Sequence, residues 1–283
     1  RMTDETRPTT LAAQASGEAG LYDFYVRDFF QRTMEKSGAS QLLSPAQKLR
    51  VMELLAAQMA CHSTTRPQSN RVYVNDHDLI TVAAQTYHTL PDSDFTEYIV
   101  HDLRAYSLLN HTTLYLPQSS EYMTYYTFGH NSFEHFFQAR GFLTALRANL
   151  QPEAASLDRP KELLTLAPQL DEHEPVFDFA LGLLGGDAKT VENIRRALCR
   201  EPQGFYGALT EDVNVLRRVL LKLWMRLERR VHSRQTVDLS GFRLEQLALS
   251  RMNLSRCLFA YANLNSAALM NCDLSGSDFA DAK

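Results

Sequence analysis

From Val237 onward the chain repeats every five residues without a slip, and no ordinary element of secondary structure has that period. Leu239, Leu244, Leu249, Leu254, Phe259, Leu264, Leu269, Leu274 and Phe279 hold the centres of successive pentapeptides. Two residues before each centre stand Val237, Phe242, Leu247, Met252, Cys257, Ala262, Ala267, Cys272 and Ser277, all small or apolar. Asp238, Asn253, Asn263, Asp273 and Asp278 directly precede their centres. A helix returns to one face every 3.6 residues and a strand every second residue, so neither sustains this pattern. A square coil does, with two residues of each five-residue side pointing inward. The centre then fills the core, and the residue two earlier is small because the sides crowd near the axis. Phe242, Leu247 and Met252 are bulky where a small residue belongs, which predicts a capping-like start.

These residues resemble the pentapeptide-repeat family, whose A-(D/N)-L-x-x signature implies a right-handed, four-sided β-helix. Some members imitate duplex DNA through a long acidic rod. Here the outward positions mix Arg243, Glu245, Arg251 and Arg256, so no acidic stripe forms and a partner-binding or spacer platform is expected.

The whole chain has 283 residues, 45% hydrophobic and 22% charged, which is globular composition and length for roughly two domains. A net charge of -4 and a pI near 6.2 give no electrostatic case for nucleic acid or an anionic membrane. No stretch approaches the ~20 apolar residues that span a bilayer, and the opening RMTDETRPTTLAAQASGEAG lacks the apolar run of a signal peptide. Cys61, Cys199, Cys257 and Cys272 form no CxxC pair, so neither a disulfide framework nor a zinc site is indicated and a cytoplasmic location is expected. The chain opens on Arg1 and stops two residues into a new repeat at Lys283, so a fragment of a longer protein is expected.

Upstream of the repeats the apolar spacing is helical. Leu21-Tyr22, Tyr25-Val26 and Phe29-Phe30 recur at i, i+4 and i+8, and Gly38 ends that helix. Ser44, Pro45 and Gln47 read as cap, first-turn proline and capping box of a helix to about Met59, with Leu49, Met52, Leu55, Ala56 and Met59 buried. Residues 62–70 read as a polar loop. A helix from Asp76 to His88 and another from Asp92 or Ser93 to Tyr106 follow. Two β-prone runs, Thr112–Leu116 and Tyr122–Phe128, flank Pro117, and Asn131 with Glu134 opens a helix to about Leu146. Helix, helix, hairpin, helix is the order of a winged-helix domain. Its second helix, DFTEYIVHDLRAY, is acidic and offers only Arg104 to a phosphate, so DNA binding is not expected. From Ala154 to Arg234 the chain reads helical again. The last helix, Val213–Val231, sets Arg217, Arg218, Lys222, Arg226, Arg229 and Arg230 around Leu216, Val219, Leu220, Leu223 and Leu227. That basic face is read as solvated, with a membrane or acidic partner as the alternative.

Three segments in order resemble the part of NACHT-type STAND NTPases, the group that includes NOD-like receptors, that follows the nucleotide-binding core. LYDFYVRDFF (21–30) with QKLRVMELLAAQMA (47–60) is similar to the helices feeding the winged helix. FGHNSFEHFFQARGFL (128–143) is similar to the winged-helix element F-x-H-x-S-F-x-E-[FY]-F-x-A, with His135 in the place of its usual Phe or Tyr. PVFDFALGLLGG (175–186) is similar to the helical region that comes next. The resemblance implies that His130 contacts the β-phosphate of bound ADP and locks a resting state. A helix N-terminus beside His130 agrees with that role. The rival readings are an internally bonded histidine and a metal site from His130, Glu134 and His135, whose spacing is not HExxH. Gly185-Gly186-Asp187-Ala188-Lys189-Thr190 is not a phosphate loop, because it lacks GxxxxGK[ST] spacing and follows a helical run.

The expected fold is mainly α, helical segments plus a winged helix, followed by a right-handed quadrilateral pentapeptide-repeat β-helix. Its expected domains are a lid-like helical segment (1–70), a winged helix (71–150), a helical linker (151–235) and the repeats (236–283). The resemblance implies the regulatory and sensor portion of a prokaryotic signalling switch, with antiphage defence as its biology. It implies ADP or ATP with Mg in the full-length protein, a trigger or partner protein on the repeats, and a homo-oligomer on activation. No Walker A motif occurs in these residues, so no cofactor and no enzyme activity are expected of them. A non-enzymatic scaffold or adaptor is the alternative. An enzyme is disfavoured by the lack of any catalytic constellation at interpretable spacing.

Overall fold

A computed structural model describes residues 17–37, 43–65, 73–87, 93–105, 107–116, 121–150, 161–185, 187–199, 210–231 and 236–283. The chain divides into two compact units, residues 1–141 and 142–283.

The first unit contains α1 (Gly17–Ser37), α2 (Pro45–Thr65), β1 (Val74–Asn75), α3 (Asp76–Tyr87), α4 (Ser93–Ala105), β2 (Leu109–Leu116), β3 (Glu121–Phe128) and the start of α5 (Asn131–Asn149). Helix α2 begins with the expected reciprocal cap. The Gln47 N–H donates to Ser44 Oγ at 3.3 Å, and the Ser44 N–H donates to Gln47 Oε1 at 2.9 Å. Leu49, Met52, Leu55, Ala56 and Met59 are buried as the spacing predicts, and Val51, Ala57 and Ala60 join them. The helix continues through Thr65, so the polar loop expected at 62–70 is helical over its first four residues. Ser and Thr have adequate helix propensity in a final turn, and polarity alone does not end a helix. Asn75 and Asp78 cap α3 in the same reciprocal way, at 3.0 and 3.1 Å.

Strands β2 and β3 form the expected antiparallel hairpin, with Leu109 opposite Phe128 and Leu116 opposite Glu121. Strand β2 starts three residues before the predicted Thr112, because its register with β3 extends to Leu109. The two-residue strand β1 adds to the far side of β3, giving the order β1-β3-β2. A pair of residues carries no periodicity, so β1 is not legible in the sequence. His88 and Tyr106, the predicted helix ends, lie outside the described residues.

The second unit holds α6 (Lys161–Glu172), α7 (Glu174–Leu184), α8 (Ala188–Cys199), α9 (Glu211–Val231), β4 (Val237–Asp238) and β5 (Cys257–Leu258). Helix α9 packs on α6, α7 and α8. Its predicted stripe of Leu216, Val219, Leu220, Leu223 and Leu227 is buried.

In the repeats every parallel pairing joins residues twenty apart: Val237 with Cys257, Arg243 with Asn263, Ala248 with Ala268, Asn253 with Asp273. Four pentapeptides therefore separate one layer from the next. Two local devices shape the turns between pentapeptides, the first at all nine and the second at five of them. Every residue two after a centre has a positive φ, from 55° to 72°, and only Gly241 and Gly276 among the nine are glycines. The turn closes by a bond to the centre, as from the Leu247 N–H to the Leu244 carbonyl at 3.3 Å. A positive φ at the third turn position is what a type II turn requires. The Asp or Asn before the centre supplies the second device. Asp238, Asn253, Asn263, Asp273 and Asp278 each accept the N–H two residues on, at 2.9 to 3.1 Å. This Asx turn is the physical reason for D/N in the motif.

Candidate functional site

Among the described residues, the start of α5 and the junction of α9 with the repeats each gather polar groups. His130 is exposed, and its Nδ1 accepts the Ser132 N–H at 3.1 Å. Its carbonyl accepts the Phe133 N–H at 3.0 Å. His130 is thus the cap of α5, and Asn131, read as the opening residue, is the first helical position. An imidazole nitrogen that accepts carries no proton, so the proton of the neutral ring sits on Nε2. That N–H is not used by the cap and remains a donor beside the positive end of a helix. Glu134 lies one turn into the helix, where burial raises its carboxyl above the usual range and Gln138 donates to it at 3.2 Å. Among the described residues no cluster of His, Cys, Asp or Glu is placed to hold a metal ion, including the set His130, Glu134 and His135.

The segments behind His130 converge. Phe133 meets Tyr22 at 5.5 Å and Tyr25 at 6.0 Å between ring centroids, and Phe136 meets Tyr22 at 5.8 Å. Arg140 of α5 pairs with Glu53 of α2 at 2.9 Å and with Asp23 of α1. Residues of 21–30 and 47–60 therefore pack against the start of α5. Arg104, the lone cation of the acidic helix, is held by Asp76 at 2.7 Å and by the Tyr126 hydroxyl. Burial, reinforced by Asp76, pushes that hydroxyl up to about 12, so it stays a neutral donor and acceptor. Asp187, within the glycine-containing segment rejected as a phosphate loop, caps α8 through the Thr190 N–H at 3.0 Å.

The second place is the junction of α9 with the first layer of repeats, and here the expectation of a solvated basic face is corrected for Arg217, Arg218, Lys222 and Arg229. Arg217 is 1% exposed. It donates to the carbonyls of Arg243 at 2.7 Å and Glu245 at 3.0 Å. Arg229 donates to the carbonyls of Asn253 at 3.1 Å and Ser255 at 3.4 Å. One layer further, the equivalent carbonyls of Asn263, Asn265, Asp273 and Ser275 accept the N–H groups of Leu244, Gln246, Leu254 and Arg256. The two arginines thus do for the first layer what the backbone of a neighbouring layer does for the second. Trp224 packs on Phe242 at 6.1 Å, so a bulky residue at the small position of the first layer meets the helix. Arg218 and Lys222 are occupied as well, both on Asp171. Burial alone would raise the Asp171 carboxyl, but these two cations outweigh it and hold it below the usual range. Arg226 is exposed, and the Arg230 side chain lies outside the described residues. The sequence does hold a signal for Arg217. It stands three and four residues from Leu220 and Val213, on the apolar stripe itself.

The predicted repeat centres divide in two. Leu239, Leu244, Leu249, Leu254 and Phe259 are fully buried, whereas Leu264, Leu269 and Leu274 are part-buried and Phe279 is 36% exposed. Phe279 stacks on Phe259 at 4.6 Å.

With that geometry in place, the comparisons with known proteins are informative for one region. Residues 238–282 match the family described as pentapeptide repeats, in eight copies. No curated protein and no solved structure matches the chain. Repeats of this kind are often protein-interaction modules. No helix among the described residues is long and apolar enough to cross a membrane.

Proposed function

We propose that this chain is the regulatory and sensor portion of a cytoplasmic NACHT-type STAND switch, in which a winged helix reads the nucleotide state and the repeats bind a trigger or partner. The observation that carries the nucleotide half is His130, an exposed helix cap whose Nε2–H is left to donate outward. On this reading α3, α4, the hairpin β2-β3 and α5 form the winged helix, and the repeats form a right-handed four-sided β-helix. His130 would hold the β-phosphate of ADP, and the bound nucleotide with its Mg would supply the two-state signal. The chain's own part is to bind and orient, not to catalyse. A trigger on the repeats acts only if it favours the open state over the closed one. Homo-oligomerisation of the activated full-length protein, and a role in antiphage defence, follow from the same resemblance.

The test uses the protein expressed from its full reading frame. ADP released on denaturation is measured for the wild type and for His130→Asn, since Asn caps a helix well but brings no imidazole donor. A bond to a charged group is worth about 1.5–3 kcal/mol, so ADP affinity should fall about 10–100-fold. Unchanged retention, or a reading frame without a GxxxxGK[ST] element, overturns the nucleotide half. The second reading is a non-enzymatic adaptor. It is favoured by the repeat match together with the Arg217 junction, which ties the repeats to a helical support without any nucleotide.

A further inference from the structure

We propose that a cleft where α9, the α6–α7 junction and the first layer of repeats meet binds a short peptide segment of a partner protein, one that sets an apolar side chain between an acidic and a basic residue. This deepens the partner-binding half of the proposed function and does not depend on the nucleotide half.

The cleft encloses about 290 Å³ and lies wholly within the second unit. That volume is near the lower end of small-ligand sites, ~300–1,000 Å³, and suits one or two side chains. Met225 and Met252 line it, giving an apolar surface that adapts to different side chains. Its lining carries charges of both signs from different elements. Glu172 and Glu174, at the end of α6 and the start of α7, supply two acids. Arg226 of α9 and Arg251 of the repeats supply two bases.

All four charges are exposed, and none has a hydrogen-bond or ion-pair partner among the described residues. The remaining cations and the remaining acid of the wall are already used. Asp171 is held by Arg218 and Lys222, and Arg229 is held by two repeat carbonyls. Opposite charges that flank one cleft without pairing present a dipolar surface. A simple anion would meet Glu172 and Glu174, and a simple cation would meet Arg226 and Arg251. A peptide that offers a carboxylate to the arginines and an ammonium to the glutamates satisfies both sets of charges while its apolar side chain reaches the methionines. Electrostatic complementarity of this kind sets orientation and excludes wrong partners more than it adds raw affinity.

The methionine methyl groups are direct reporters. The chain is labelled with ¹³C-methyl methionine, and Met225, Met252 and Met270 are assigned by single substitution to leucine. The probe is a blocked seven-residue peptide, alanine except for Asp, Leu and Lys at positions two, four and six. Controls are the same peptide with Lys replaced by Asp, the same peptide with both charges replaced by Ser, and free leucine. The dipolar peptide should shift the Met225 and Met252 methyls. Its affinity should fall about tenfold in the Arg226→Glu/Arg251→Glu variant and again in Glu172→Lys/Glu174→Lys, which change only exposed side chains. Several results would overturn the proposal: no shift at millimolar peptide, equal binding by the all-acidic control, binding by free leucine alone, or affinity unchanged in both variants. Shifts confined to Met270, which is 67% exposed on the outside of the repeats, would also overturn it. That last result would move the partner to the outer repeat face and leave the interaction-module reading standing.

Discussion

The first unit and the repeats satisfy their buried polar groups over very different distances along the chain. In the first unit the Lys48 ammonium, fully buried, is bonded to the Asp102 carboxylate at 3.0 Å, and Asp102 also accepts the Leu43 N–H at 3.0 Å. Glu53, 3% exposed, is answered by Arg140. Partners more than fifty residues apart must arrive together for these bonds to form. In the repeats the partner is two residues away in an Asx turn, three away across a corner, or about twenty away in the adjoining layer. Repeat architectures of this kind gain stability as a sum of layer and neighbour terms. The first unit gains it as a network in which one loss strands a charge.

Removing the Asp102 carboxylate should separate the two regions most strongly. Asp102→Ala takes the carboxylate away from the fully buried Lys48 ammonium, and it should cost about 3–5 kcal/mol. The measure is urea denaturation followed by far-ultraviolet circular dichroism. Replacing both partners, as Lys48→Met with Asp102→Leu, should recover most of the loss, because the cost lies in the orphaned charge rather than in the missing bond. A double variant as unstable as the single one would show that the pair is worth more than its desolvation.

Within the repeats the expected effects depend on the layer. Leu249, fully buried, should cost about 2–5 kcal/mol as Leu249→Ala, while part-buried Leu274→Ala should cost about 1 kcal/mol. Trp224, the one tryptophan of the chain, packs on the first layer, so its fluorescence in urea reports on both variants. Arg217→Ala comes next, at about 2–3 kcal/mol, because it removes the buried guanidinium that donates to the Arg243 and Glu245 carbonyls. A loss as small as that of a surface arginine would mean that water replaces the guanidinium there.

The same contrast of near and far partners decides which parts are legible in the sequence. A period of five names its own core, so all nine centres and the five Asp and Asn positions can be read from spacing alone. The capping box of α2 and its apolar stripe are readable for the same reason, since both are local. The Lys48–Asp102 bond is not, because nothing near Lys48 announces a partner on α4. Arg217, Arg218, Lys222 and Arg229 of α9 read as solvated and instead hold carbonyls or Asp171, since an amphipathic helix has the same pattern whether its cations meet water or protein. At His130 the helix N-terminus is readable but the cap itself is not, because histidine is not among the usual capping residues.

The smallest expected effect tests the corner device directly, and it has the opposite sign. Gln246 is exposed, holds a φ of 62°, and its N–H is bonded to the Asn265 carbonyl at 3.0 Å. Its side chain has no partner among the described residues. An L-residue in the left-handed region costs about 1–2 kcal/mol, and glycine removes that cost while adding entropy to the unfolded chain. The backbone bond survives the change. Gln246→Gly should therefore stabilise the protein by about 0.5–1 kcal/mol, read as a shift of the Trp224 urea transition to higher denaturant. The contrasting change, Asn263→Ala, removes the Asx bond to the Asn265 N–H and should cost about 1 kcal/mol. Opposite signs at two positions of the same repeat would show that its corners balance backbone strain against local hydrogen bonding. A destabilising Gln246→Gly would mean that unfolded-state entropy outweighs the strain, and that the seven non-glycine corners stabilise the repeats despite their positive φ.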